Sequence, residues 1–151
     1  MTKRILVIED GYKHEQDARD FFETQDDVVV TYASNYSEAS RIMFNYDPNT
    51  RERVKGNIDG VISDIFFPLS STPDWNQPEP IGVRVAVELS QLGVPFVLNT
   101  AGYHHGRRYE WINGFARNQR WKIVDTGSED DVESDSKNWQ KAYSSLEKII
   151  K

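Results

Sequence analysis

The chain has 151 residues, enough to bury one substantial core and short for two. Its formal charge is −6, from 18 Lys and Arg against 24 Asp and Glu, which argues against a nucleic-acid surface, because affinity for a phosphate backbone rests on basic side chains. Cysteine is absent, so disulfides, thiolate catalysis and Cys-ligated zinc are excluded. No apolar run approaches the length of a membrane span and no signal-peptide h-region opens the chain, so a cytoplasmic protein without membrane contact is expected.

Helix-like and strand-like segments alternate from the start. Residues 4–9 form a short, continuous apolar run with the character of a buried parallel strand. Residues 12–23 carry Ala18, Phe21 and Phe22 at helical spacing, with Gln16, Asp17, Arg19 and Asp20 on the other face. Residues 28–32 follow as a second strand. Asn35 and Glu38 have capping-box spacing and open a helix that the pattern extends to Asn45. Residues 47–59 are polar, with Pro48, Gly56 and Asn57, and read as a loop.

A third strand covers residues 61–63. Residues 69–80 hold Pro73, Pro78 and Pro80 beside Asp74 and Trp75, and read as irregular. This segment (about 69–81) is expected to be an insertion in a single domain spanning 1–151. Residues 82–92 predict a helix that turns Val83, Val87 and Leu89 or Ala86 to the sheet, and Gly93 stops it. Residues 94–99 give a fourth strand, 109–118 a short helix and 121–124 a fifth strand. An acidic loop at 127–134 leads to a closing helix over 136–150, with Trp139, Ala142, Tyr143, Leu146, Ile149 and Ile150 on its apolar side.

Five βα units in a row predict an α/β, doubly wound parallel sheet in the order 2-1-3-4-5, with helices on both faces. The C-terminal ends of its strands meet at one edge. Glu9-Asp10 close the first strand and Asp64 closes the third, so three carboxylates are expected to share one pocket. At about 5 Å and an effective dielectric of about 20, each like-charged pair costs on the order of 3 kcal/mol. Such a cluster holds a divalent cation, shifts its pKa values, or is disfavoured. Taken singly, Glu9-Asp10 could be a polar strand end, Asp64 the cap of a turn before Pro68, and Thr100 a loop hydroxyl satisfying backbone.

In this order the residues resemble the response-regulator receiver domain of two-component signalling, a (βα)5 flavodoxin-like fold, along essentially the whole chain. Glu9-Asp10 match the acidic pair after the first strand, Asp64 the phosphoacceptor and Pro68 the Asp-x-x-x-Pro pattern. Gly82 is similar to the Gly opening the third helix, and Leu98-Asn99-Thr100-Ala101 to the strand end that carries Ser or Thr before Ala. The resemblance implies that a histidine kinase or phosphotransfer protein phosphorylates Asp64. It implies Mg²⁺ held by Glu9, Asp10, Asp64 and the Phe66 backbone carbonyl. Thr100 would donate to a phosphoryl oxygen and switch the surface seen by a downstream protein. No enzyme activity beyond self-dephosphorylation is implied.

One element departs. The family's Lys at the end of the fifth strand falls on Asp125, and no Pro follows it. Lys122, three residues earlier, lies on the opposite strand face unless a bulge or a one-residue shift rescues it. It also occupies the family's aromatic switch position. The readings are therefore a stand-alone phosphorylated receiver, a pseudo-receiver acting as an interaction module, or a metal-dependent phosphohydrolase on the same scaffold. Tyr103-His104-His105-Gly106-Arg107-Arg108 admits metal, anion or partner recognition, or a solvated loop. Glu129, Asp130, Asp131, Glu133 and Asp135 read as a solvated charge cluster.

Overall fold

A computed structural model describes residues 1–101, 107–126 and 136–150. In chain order these form β1 (Lys3–Ile8), α1 (Tyr12–Glu23), β2 (Val28–Ala33), α2 (Tyr36–Met43), β3 (Phe44–Tyr46), β4 (Arg53–Lys55), β5 (Gly60–Ser63), β6 (Phe67–Pro68), β7 (Pro78–Glu79), α3 (Ile81–Leu92), β8 (Phe96–Thr100), α4 (Trp111–Asn118), β9 (Ile123–Asp125) and α5 (Trp139–Ile149). The main sheet has the order β2-β1-β5-β8-β9, and every pair in it is parallel. This is the doubly wound (βα)5 arrangement expected from the sequence.

The period of two along each strand divides the core. Leu6, Ile8 and Val61 face Ala39 and Met43 of α2 and Val85 and Leu89 of α3. Ile5, Val7, Ile62, Val97 and Val124 face Ala18 and Phe22 of α1 and Trp139, Ala142, Tyr143 and Leu146 of α5. A third cluster around Ile65, Phe66, Ala86, Leu98 and Ile112 seats α4. Leu6, Leu89 and Leu146 are fully buried, and truncating a leucine of this kind to Ala costs about 2–5 kcal/mol.

Local signals fix several boundaries. The Asn35 side chain accepts the Glu38 N–H at 2.9 Å, while the Glu38 carboxylate reaches Ser34 and accepts its N–H and hydroxyl at 2.9 and 2.8 Å. Gly93 ends α3 at φ 70°, a left-handed conformation natural to glycine.

Four expectations change. First, α2 ends at Met43 rather than Asn45, and Phe44 turns extended. Residues 44–46 pair antiparallel with 53–55, inside the segment expected as a loop. Asp47 closes this hairpin by accepting the N–H groups of Asn49 and Thr50, and Arg51 takes φ 60°. Second, the segment expected to be irregular ends in a strand that pairs with the residues just before it. Phe67 and Pro68 pair with Glu79 and Pro78, and a 3-10 turn spans Pro73–Trp75. Two-residue edge strands tolerate proline because no further strand needs its missing N–H. Third, Val85 is buried and Val87 exposed. Gly82 sets this phase: a Cβ there would lie 2.4 Å from the Asp64 carbonyl oxygen, so the helix packs backbone against backbone. Fourth, α5 begins at Trp139, because Asn138 is its cap and accepts the Lys141 N–H at 3.0 Å, and Ile149 is exposed rather than on the apolar side. The acidic run from Glu129 to Asp135 lies outside the described residues.

The β3–β4 hairpin is tied to the helices through Glu88, an acid that the pattern had not singled out. Its carboxylate is buried and accepts the Tyr36 hydroxyl at 2.8 Å and Arg53 Nη1 at 2.5 Å, with Arg84 Nε at 3.4 Å. The guanidiniums of Arg84 and Arg53 lie over the rings of Tyr36 and Phe44. Glu88→Ala strands the Tyr36 hydroxyl and two guanidiniums. It should destabilise the protein by about 1–3 kcal/mol in urea denaturation, discounted because Arg53 and Arg84 are partly solvated. An unchanged midpoint would show that the hairpin is held by other contacts.

Candidate functional site

The sheet register builds the site. Ile8 pairs with Ser63, so Glu9 and Asp64 leave adjacent strands at the same level. The Asp64 N–H donates to the Ile8 carbonyl and the Glu9 N–H to the Ala33 carbonyl, each at 2.9 Å, which prolongs the ladder to the two acids. Thr100 ends β8 opposite Asp125 at the end of β9. Carboxylate oxygens of Glu9, Asp10 and Asp64 lie within 4.8 Å of one another. With Phe66, Thr100 and His14 they line a cavity of about 170 Å³.

Each acid is held differently. Glu9 is 2% exposed, and its Oε2 accepts the Gly11 N–H at 3.0 Å. Asp64 is half-buried, and its Oδ1 accepts the Ile65 N–H at 2.7 Å. Asp10 is the most exposed of the three. Three anions this close would repel by several kcal/mol. The compensating charge comes from Lys137, itself 8% exposed, whose ammonium bonds Glu9 Oε1 and lies 3.0 Å from Asp64 Oδ2.

Lys137 reaches the site from the approach to α5. Asn138 caps that helix and Trp139 is buried in the α1/α5 core, so the residue just before them is fixed over the strand ends. Lys137 is not among the residues expected at the site, because the resemblance implies a cation at the end of the fifth strand. One signal was present: a positive charge just outside a helix N-terminus opposes the helix dipole and needs a nearby anion. Lys122 lies at the other end of its strand, exposed, where its carbonyl accepts the Leu98 N–H at 2.9 Å. Asp125 is half-buried at the end of β9. His104 and His105 lie outside the described residues.

Burial and mutual repulsion shift these groups. Burial first, and the Asp64 charge after it, push the Glu9 carboxyl up to about 7, against the opposing pull of Lys137. Partial desolvation and the Asp64 charge raise Asp10. The charges of Asp64 and Glu9 overcome burial and hold Lys137 above its ordinary value, so it stays an ammonium. His14 is held below its usual value by burial and by Lys137, and its Nδ1 is buried without a hydrogen-bond partner. With Glu9 ionised, three carboxylates against one ammonium leave two negative charges, and with Glu9 protonated one, all on oxygen. That donor set fits a hard divalent cation.

The chain is similar to a solved structure described as the non-phosphorylated HemR receiver domain from Leptospira biflexa, with 22% identity, a TM-score of 0.54, and coverage of 98% of this chain and 94% of that one. The fold is receiver-like. No protein-family model matches the chain, and no curated protein sequence does. At this identity the likeness carries the fold alone.

The Glu9 shift gives stability a pH dependence. The folded carboxyl holds its proton more tightly than the unfolded one, so this contribution is full below about pH 4.5 and is lost as pH rises through about 7. In metal-free buffer, the stability difference between wild type and Glu9→Gln should move against wild type as pH rises across that window. A pH-independent difference in urea midpoints would contradict the assignment.

Proposed function

We propose that the chain is a receiver-type signalling module that accepts a phosphoryl group on Asp64 from a histidine kinase or phosphotransfer protein and passes the change to a downstream protein. The observation that carries this reading is the Lys137 ammonium bonded to Asp64 inside an acidic cavity rimmed by Thr100. Asp125 in the position of the family's Lys motivates the alternative, a pseudo-receiver. Lys137 supports the phosphorylated reading because it brings the missing cation from another element.

In this reading an Asp64 carboxylate oxygen attacks phosphorus. The bond from phosphorus to the donor histidine nitrogen breaks, and an acyl phosphate forms. Lys137 neutralises part of the charge that accumulates on Asp64 and the incoming group. Thr100, which ends β8 at the cavity wall, would donate its hydroxyl to a phosphoryl oxygen. Glu9, Asp10 and Asp64, with the Phe66 carbonyl, are the proposed Mg²⁺ donors. Bound Mg²⁺ would screen the carboxylate from the anionic phosphoryl group. Self-dephosphorylation is the most catalysis this site is assigned. Among the described residues no helix is long and apolar enough to cross a membrane, and a cytoplasmic partner pair remains part of the proposal.

Incubation with Mg²⁺ and a small acyl phosphate, followed by intact mass, tests the reading. Wild type should gain one phosphoryl group, and Asp64→Asn none. EDTA should abolish the gain, and Lys137→Met should slow it by about 10²-fold, the usual effect of removing one aligned charge-stabilising donor. No gain on wild type, or equal gain on Asp64→Asn, would leave the chain as an interaction module.

A further inference from the structure

At the opposite rim of the sheet, where β5, β8 and β9 begin, a second cavity of about 580 Å³ opens. Its size is that of a small-ligand site. The charge at this rim is the reverse of the acidic site: Lys55, Arg120 and Lys122 all line it, in a chain of net charge −6. The opposing carboxylate is Asp59, whose Oδ2 already accepts the Arg4 N–H at 2.8 Å. Three cations against one carboxylate leave two positive charges. A carboxylate ligand would match one of them, whereas a phosphate monoester at neutral pH matches both.

The wall beside these cations is aromatic. Trp121 is half-buried, with its ring centroid 6.0 Å from that of Phe96 and 5.2 Å from that of Phe115, both edge contacts that hold the indole in place. Ile149 adds an apolar surface that is 42% exposed. Fixed indoles offer flat rings a sequence-tolerant stacking surface, and Arg and Lys meet phosphate beside it. Arg120 is held at φ 60°, a left-handed backbone conformation in which glycine would be unstrained. A long cationic side chain therefore stands over the cavity at a position whose backbone does not favour it.

We propose that this cavity binds a nucleoside monophosphate, with its base against Trp121 and its phosphate among Lys55, Arg120 and Lys122. The site shares no residue with the acidic cavity, and the inference uses nothing from the phosphorylation reading.

Isothermal titration calorimetry on the full chain in metal-free buffer, with adenosine monophosphate, adenosine and inorganic phosphate as separate titrants, tests it. The monophosphate should bind saturably at one site, and adenosine and phosphate should each bind about tenfold or more weakly, because each supplies half of the contacts. Arg120→Gly removes the guanidinium at a position where glycine suits the backbone, so the fold is kept, and Lys122→Gln removes a second charge. Each should weaken the monophosphate by about tenfold or more, the usual loss of a charge-assisted contact. The proposal is overturned by absence of heat at about 1 mM monophosphate, by inorganic phosphate binding as tightly as the nucleotide, or by wild-type affinity in both variants.

Discussion

Placing Glu9, Asp10 and Asp64 within 4.8 Å of one another is costly, and the ammonium of Lys137 is what makes the arrangement tolerable. It is a buried cation touching two of the three acids. Remove it, and Glu9, which is almost fully buried, faces Asp64 with no compensating charge, so one of the pair would have to take up a proton. Keep it, and the cluster retains one or two net negative charges on hard oxygen donors, according to whether Glu9 holds its proton. The same contact thus stabilises the folded strand ends and leaves a site suited to a divalent cation.

The elements around the cluster serve that contact. Parallel register delivers Glu9 and Asp64 to one level, and Gly82 allows α3 to close against the Asp64 backbone, where any side chain would collide. The Asn138 cap and the buried Trp139 fix the start of α5, and with it Lys137. The two ends of the sheet consequently differ in charge: carboxylates gather where the strands finish, and Lys55, Arg120 and Lys122 gather where they begin. The protein is acidic overall, yet three basic side chains line the cavity at the rim where β5, β8 and β9 begin.

Much of the fold was legible in the sequence because its signals are local. The apolar runs of β1, β5 and β8, the Asn35 cap and the Gly93 stop each depend on a few neighbouring residues. The acidic cluster was legible because parallel strands must present their C-terminal ends together. The hairpins at 44–55 and 67–79 were not, since short edge strands carry weak alternation and proline reads as disruption. Glu88 and Lys137 were hidden for a different reason. Both are charged residues buried by partners distant in sequence, Tyr36 and Arg53 in one case and Glu9 and Asp64 in the other. Single-sequence periodicity assigns charges to solvent and cannot report a partner 128 residues away, as Glu9 is from Lys137.

The most direct test of the account is a double-mutant cycle on Lys137→Met and Asp64→Asn, read by urea denaturation in metal-free buffer at pH 7. If the ammonium and the carboxylate are bonded as described, the coupling energy should be about 1–3 kcal/mol in favour of the pair. Additive effects within about 0.5 kcal/mol, the value for groups that do not touch, would contradict it.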